Sequence, residues 1–103
     1  MAPAARAAMS ERWDRAVRMD MLEWTGRRVF CNPPYGPGLS KWLERGLEAN
    51  LAVFLIPART DTRWFHEIVM PNAKEIRFIK GRLKFGDAVN GAPFPSMIVV
   101  FKQ

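Results

Sequence analysis

The sequence predicts an α/β fold, specifically the second half of a doubly wound sheet with helices packed against it. Three observations carry this. Leu51-Ala52-Val53-Phe54-Leu55-Ile56 is a continuous apolar run of strand length, which suits a strand buried on both faces. Apolar runs of this kind alternate with stretches whose apolar residues recur every three or four positions, the helical period. Two of the strand candidates run out into proline-stiffened loops, Asn32-Pro33-Pro34-Tyr35 and Pro57-Ala58-Arg59. In open α/β sheets, ligands bind outside the carboxyl ends of the strands.

Taken in order, residues 4–19 are rich in Ala and Arg, and Met9, Trp13, Ala16 and Val17 fall at helical spacing, so a helix is expected there. Its arginines suit either phosphate or a solvated face. Asp20-Met21-Leu22-Glu23-Trp24 leads to the turn signal Thr25-Gly26. Arg28-Val29-Phe30-Cys31 reads as a short strand ending at the proline motif. Leu39, Trp42, Leu43, Gly46 and Leu47 then mark an amphipathic helix that breaks near Asn50. After the strand at 51–56, Thr60-Asp61-Thr62 offers helix N-cap candidates. Trp64, Phe65, Ile68 and Val69 share one helical stripe, and Pro71-Asn72 ends it. Residues 75–80 partly alternate, as expected of a strand near a sheet edge. A basic segment, Gly81 to Gly86, and a Gly/Asn/Pro loop over 86–95 precede the β-branched strand 96–101. The first two strand–helix–strand units fit parallel crossovers. The last two strands lack a helix between them and are expected to be antiparallel neighbours. No repeat or linker divides the chain, so 1–103 reads as one domain.

Composition narrows the function. The chain has 103 residues, 49% hydrophobic and 25% charged, which is a globular balance. Its formal charge is +6 and its pI is near 10.3, which suits a polyanionic partner, nucleic acid first among them, or equally a soluble basic protein with no such partner. The single cysteine, Cys31, excludes a disulfide framework and argues against a zinc site. The sole histidine, His66, sits in a helical pattern and reads as structural. No apolar run has the length of a membrane span, and the opening residues lack a signal-peptide core, so a cytoplasmic protein is expected.

The chemistry centres on Asn32-Pro33-Pro34-Tyr35. Proline fixes φ and removes a backbone donor, so this loop has a restricted shape. An amide and an aromatic ring on such a loop suit a planar, amine-bearing ring. The plainer reading is an ordinary turn in which Asn32 caps backbone groups.

Several blocks, in this order, resemble the phage-type DNA N-6-adenine methyltransferase (Dam) family. They are Asp20-x-Leu22-x-Trp24, Val29-Phe30-Cys31-Asn32-Pro33-Pro34-Tyr35-Gly36, Leu55 to His66 with Pro57-Ala58-Arg59-Thr60-Asp61-Thr62, Phe78 to Phe85 with Gly81-Arg82-Leu83-Lys84-Phe85, and Ala92-Pro93-Phe94-Pro95-Ser96-Met97. The resemblance runs from about Asp20 to the C-terminus. It implies the C-terminal half of a SAM-dependent methyltransferase (Rossmann-like) sheet, with methyl transfer from S-adenosylmethionine (SAM) to the N6 of adenine in double-stranded DNA. It implies Asn32, Pro33, Pro34 and Tyr35 as the catalytic loop, with Tyr35 stacking on a base flipped out of the duplex. An adenine exocyclic amine is a poor nucleophile because its lone pair is delocalised into the ring, and the resemblance implies hydrogen bonds from its N–H groups to the Asn32 side-chain oxygen and the Pro33 carbonyl that favour a more pyramidal nitrogen and aim the lone pair. It places Asp20 at the cofactor's adenine. Arg59, Thr60 and Asp61 follow the next strand end and are candidates for the same cleft, or for a helix cap. Lys80, Arg82 and Lys84 suit phosphate contacts, or a solvated hairpin face.

The family also carries upstream strands, including one that holds the methionine end of SAM, whereas the residues before Asp20 here read as a helix. About four strands are therefore expected, with the first strands lacking and an apolar sheet edge left unpaired. A truncated enzyme follows, or one completed by a second chain or as a homo-oligomer. The alternatives are a catalytically incomplete remnant that only binds DNA or a partner, and an amino-group methyltransferase for protein or RNA.

Overall fold

A computed structural model describes residues 14–15, 24–84, 91 and 93–103. It contains one mixed five-stranded sheet with strand order β1-β2-β3-β5-β4. The strands are β1 (Asp14–Arg15), β2 (Arg28–Cys31), β3 (Leu51–Pro57), β4 (Glu75–Phe78) and β5 (Ser96–Lys102). Helix α1 (Leu39–Gly46) lies between β2 and β3. Between β3 and β4, α2 is a π-helical turn (Phe65–Val69) running into a last α-helical turn (Met70–Asn72).

The middle strand is the apolar run read from the sequence. Ala52, Phe54 and Ile56 pack into the main core with Leu39 and Leu43 of α1, Phe65 and Val69 of α2, and Met97, Val99 and Phe101 of β5. Leu51, Val53 and Val100 are buried on the opposite face, with Phe30 and Ile98 against them. Both faces of β3 are thus covered, which is why the run shows no polar alternation.

Strand directions follow from the pairings. β1 and β2 are parallel, as are β2 and β3. β5 is antiparallel to β3 on one side and to β4 on the other, so β4 runs in the same direction as β3. The two expected crossovers therefore hold in direction, but β4 is not the neighbour of β3: the last strand fills the position between them. β4 is the sheet edge, as its partial alternation predicts.

One expectation is overturned at the N-terminal end. Asp14 and Arg15 fall within the helix expected over 4–19, yet they form β1, paired in register with Val29 and Phe30. The rest of that helix lies outside the described residues. Helical spacing of a few apolar side chains is a weaker constraint than the free N–H and C=O groups along the edge of β2, which need partners. Among the described residues the sheet has five strands, the first of only two residues, and that edge of β2 is paired at Val29 and Phe30.

Helix α1 matches the predicted span closely. It starts at Gly38 without a side-chain cap and ends in tightening turns, with Leu47 N–H donating to Glu44 O and Glu48 N–H to Arg45 O. Gly46 is where the helix touches the sheet. A Cβ built there would lie 2.4 Å from Phe54 Cε2, 2.8 Å from Phe54 Cζ and 3.1 Å from Phe101 Cδ2. Both rings are buried and cannot swing away. Gly46→Ala is therefore expected to lower stability by about 1–3 kcal/mol through overpacking, outweighing the ~0.5–1 kcal/mol that alanine adds to a helix. A chemical-denaturation midpoint lower than wild type checks this.

The widened turn of α2 has a local cause. Met70 N–H donates to Phe65 O, a five-residue step. Pro71 follows, lacking an N–H, and in a regular α-turn its ring would collide with the carbonyl four residues back. The π register opens that turn ahead of the proline. Pro71 thus lies inside the last turn rather than just beyond it, and the helix ends at Asn72.

Candidate active site

Because β2, β3 and β4 run parallel and β5 runs against them, four loops open at one edge of the sheet. These are the segments after Cys31, after Pro57, after Phe78, and before Ser96. Asn32 to Tyr35, Arg59 to Asp61, Lys80 to Lys84 and Phe94 all belong to them. Backbone hydrogen bonds stitch the loops together. Ala58 N–H donates to Pro95 O at 2.8 Å and Ile79 N–H to Ser96 O at 3.0 Å, while within the segment after Cys31 Leu39 N–H donates to Gly36 O at 3.1 Å.

A cleft of about 350 Å³ sits at this edge, lined by Tyr35, Gly36, Leu39, Pro57, Arg59, Trp64 and Phe94. The Tyr35 hydroxyl donates to Asn32 Oδ1 at 3.3 Å. A carbonyl oxygen has two acceptor sites, so this bond orients Asn32 and still leaves room for a second donor. Partial burial raises the Tyr35 hydroxyl above its usual pKa, which keeps it protonated and donating. Pro33 is buried, and Asn32 and Pro34 are exposed. The Tyr35 ring meets Phe94 edge to face, with centroids 4.9 Å apart and planes at 80°. The Arg59 guanidinium carbon lies 5.6 Å from the Phe94 centroid, a cation–π contact.

The remaining candidates separate. Thr60 uses its carbonyl to accept from His66 Nε2–H at 2.8 Å, a structural tie for the only histidine. Thr62, not Thr60 or Asp61, caps α2: its hydroxyl donates to Arg59 O at 2.8 Å and accepts from Phe65 N–H at 3.3 Å. Asp61 is exposed, and neither Thr60 nor Asp61 lines the cleft. Lys80, Arg82 and Lys84 are exposed on the loop after β4, outside the cleft but on the same edge of the sheet. Asp20 lies outside the described residues. Cys31 precedes the motif but is buried, and burial pushes its thiol up to about 12, so it stays protonated and a poor nucleophile.

Phe94, Trp64 and Leu39 were not singled out as site residues from the sequence. Phe94 had a usable signal, since Pro93-Phe94-Pro95 is an aromatic side chain clamped between two prolines ahead of a strand, the same device as the Asn32 loop. Trp64 and Leu39 read as helix core, and they line the cleft because each lies near the N-terminal end of its helix.

A model of the family described as DNA N-6-adenine-methyltransferase (Dam) matches residues 8–103. The chain belongs to the Dam family. The match begins upstream of Asp20, where the motif resemblance starts, so the segment containing β1 is included. No curated protein and no solved structure matches the chain. Membership in the Dam family points to a DNA adenine methyltransferase-related function, with DNA as the substrate it suggests. No helix among the described residues is long and apolar enough to cross a membrane. Nor do the described residues include a group of three or more His, Cys, Asp or Glu placed to hold a metal ion.

Dam-family membership suggests SAM as cofactor, and the cleft can be tested against it. Its lining offers aromatic and aliphatic walls, one cation and no carboxylate. That donor set fits a flat, neutral ring. It does not supply the anionic partners that a sulfonium, an ammonium or ribose hydroxyls call for. The described cleft therefore fits a flat, neutral ring and does not fit SAM.

Proposed function

We propose that this Dam-family chain carries the acceptor side of a site-specific DNA adenine methyltransferase that uses SAM. Asn32 Oδ1 and the Pro33 carbonyl accept hydrogen bonds from the exocyclic amine of an adenine flipped out of the duplex, and Tyr35 stacks on its ring. One observation supports this above the others: Tyr35, whose side chain lines an aromatic cleft, donates its hydroxyl to Asn32 Oδ1 at the carboxyl end of a parallel strand, so the amide is tied to the cleft through Tyr35 without itself lining it. The amide then holds the amine so that its lone pair is free of the ring and directed outward, and Pro33 and Pro34 keep the loop from relaxing. SAM, when bound, supplies the methyl group, and Asp20 is the residue we assign to its adenine.

The strand directions suit the second half of a doubly wound methyltransferase sheet, with four parallel strands and a reversed last strand. Lys80, Arg82 and Lys84 lie on the same edge and are assigned to phosphates of the duplex. Removing one phosphate contact weakens binding about equally on all sequences and flattens the log K against log salt slope by about 0.9. Lys84→Ala is expected to do this, and an unchanged affinity and slope would remove Lys84 from the interface.

The deciding experiment titrates SAM into the purified chain, with its solution mass measured alongside, and then assays transfer of labelled methyl groups to duplex DNA. Methylated adenine supports the proposal. A folded chain that binds DNA but not SAM supports the remnant reading. Methyl transfer to protein or RNA but not to DNA moves the chain to the other amino-group methyltransferases.

A further inference from the structure

Arg59 lines the cleft, and its guanidinium lies over the Phe94 ring, 5.6 Å from the centroid. Both residues are held at the backbone. Arg59 O accepts from the Thr62 hydroxyl at 2.8 Å. Next to Arg59, Ala58 N–H donates to Pro95 O at 2.8 Å, and Pro95 follows Phe94. The exit of β3 and the entry of β5 are thereby clamped one residue from each side chain. Phe94 in turn meets Tyr35 edge to face at 4.9 Å. A flat ring held between two aromatic walls needs them roughly 7 Å apart, two stacking gaps, so no third ring fits between Tyr35 and Phe94 as they stand.

We propose that Arg59 is a positioning residue acting through Phe94: its guanidinium, over the Phe94 ring, holds that ring in its edge-to-face contact with Tyr35, so the aromatic slot is closed in the free protein and opens when an incoming flat ring displaces Phe94. The inference rests on reading the cleft as the base slot of a Dam-family enzyme. Arg59 suits the task because a planar guanidinium stacks on an aromatic face, whereas a lysine ammonium offers only a point charge. At an exposed site such a contact shifts the closed-to-open ratio by about two- to five-fold, a bias that a binding ligand can overcome.

Tyr35 is the only tyrosine in the chain, so ring-13C-labelled tyrosine gives one reporter at the slot. Wild type, Arg59→Ala, Arg59→Lys and Phe94→Leu are compared by NMR. In wild type the Phe94 ring current displaces the Tyr35 ring signal, and Phe94→Leu removes that displacement. Arg59→Ala is expected to move the signal part of the way towards the Phe94→Leu position, with Arg59→Lys lying between Arg59→Ala and wild type. A Tyr35 signal in Arg59→Ala that coincides with wild type overturns the proposal, as does one that Phe94→Leu leaves in place. Arg59 is exposed, so its variants are expected to keep the wild-type fold. A duplex oligonucleotide with 2-aminopurine at adenine positions tests the underlying reading separately. Fluorescence rising on binding to wild type, with about two- to five-fold tighter apparent binding to Arg59→Ala, supports both. Fluorescence unchanged in every variant removes the base-slot reading, while the Tyr35 signal still decides what Arg59 does to Phe94.

Discussion

Replacing Asn32 with alanine is expected to lower methyl transfer to adenine-containing DNA by roughly 10²- to 10³-fold, the usual effect of deleting one preorganised polar group from a reacting centre. Stability should hardly change. The Asn32 side chain is exposed, and its contact is the 3.3 Å bond from the Tyr35 hydroxyl. Surface changes of this kind stay within about 0.5 kcal/mol. The combination of lost turnover and an unmoved melting temperature is the signature of a group that acts on the substrate amine. Asn32→Asp leaves an acceptor oxygen in the same place and is expected to keep more activity than alanine. Wild-type turnover in Asn32→Ala would show that the amine is not held there. The assay is methyl incorporation from labelled SAM, run beside thermal denaturation of the same samples.

Phe54→Ala is expected to be the most damaging change to the fold. Phe54 is fully buried in the middle strand, stacked 6.1 Å from Trp24 and edge-on to Phe101 at 5.8 Å, with Gly46 of α1 pressed against its ring. Neighbours on three sides belong to different segments, so the structure cannot collapse into the space that the ring leaves. Truncating a buried Phe costs about 3–5 kcal/mol, and a chain of this length has about 5–15 kcal/mol in total. At about 4–8 °C per kcal/mol, the melting temperature falls by about 12–40 °C. Circular dichroism on heating measures it. A fall of only a few degrees would mean that Phe54 does not join the helix layer to the sheet.

The candidate site was legible in part. Asn32 and Tyr35 stood out because two prolines after a short apolar run mark a rigid loop at a strand end, and the structure brings their side chains within 3.3 Å. Arg59 was named from its place after the next strand, and it does line the cleft. Thr60 and Asp61 were named on the same ground and do not. Adjacent residues on a loop point in different directions, and local pattern does not say which. Phe94 carried a local signal in its flanking prolines, but nothing local ties Phe94 to Tyr35. It is remote in sequence from Tyr35, and the two meet because β5 inserts next to β3.

The middle strand, helix α1, the edge position of β4 and the rigid amide–aromatic loop were all written in local pattern. Burial on one face, two faces or one stripe leaves a period in the sequence. Three further features come from contacts between distant segments: β1 pairing along β2, β5 taking the place between β3 and β4, and the contacts of Phe94 with Arg59 and Tyr35. A two-residue strand is too short to show a period. An apolar period records that a face is buried and not which strand lies beside it, so those choices are made when the backbone groups of the sheet find their partners.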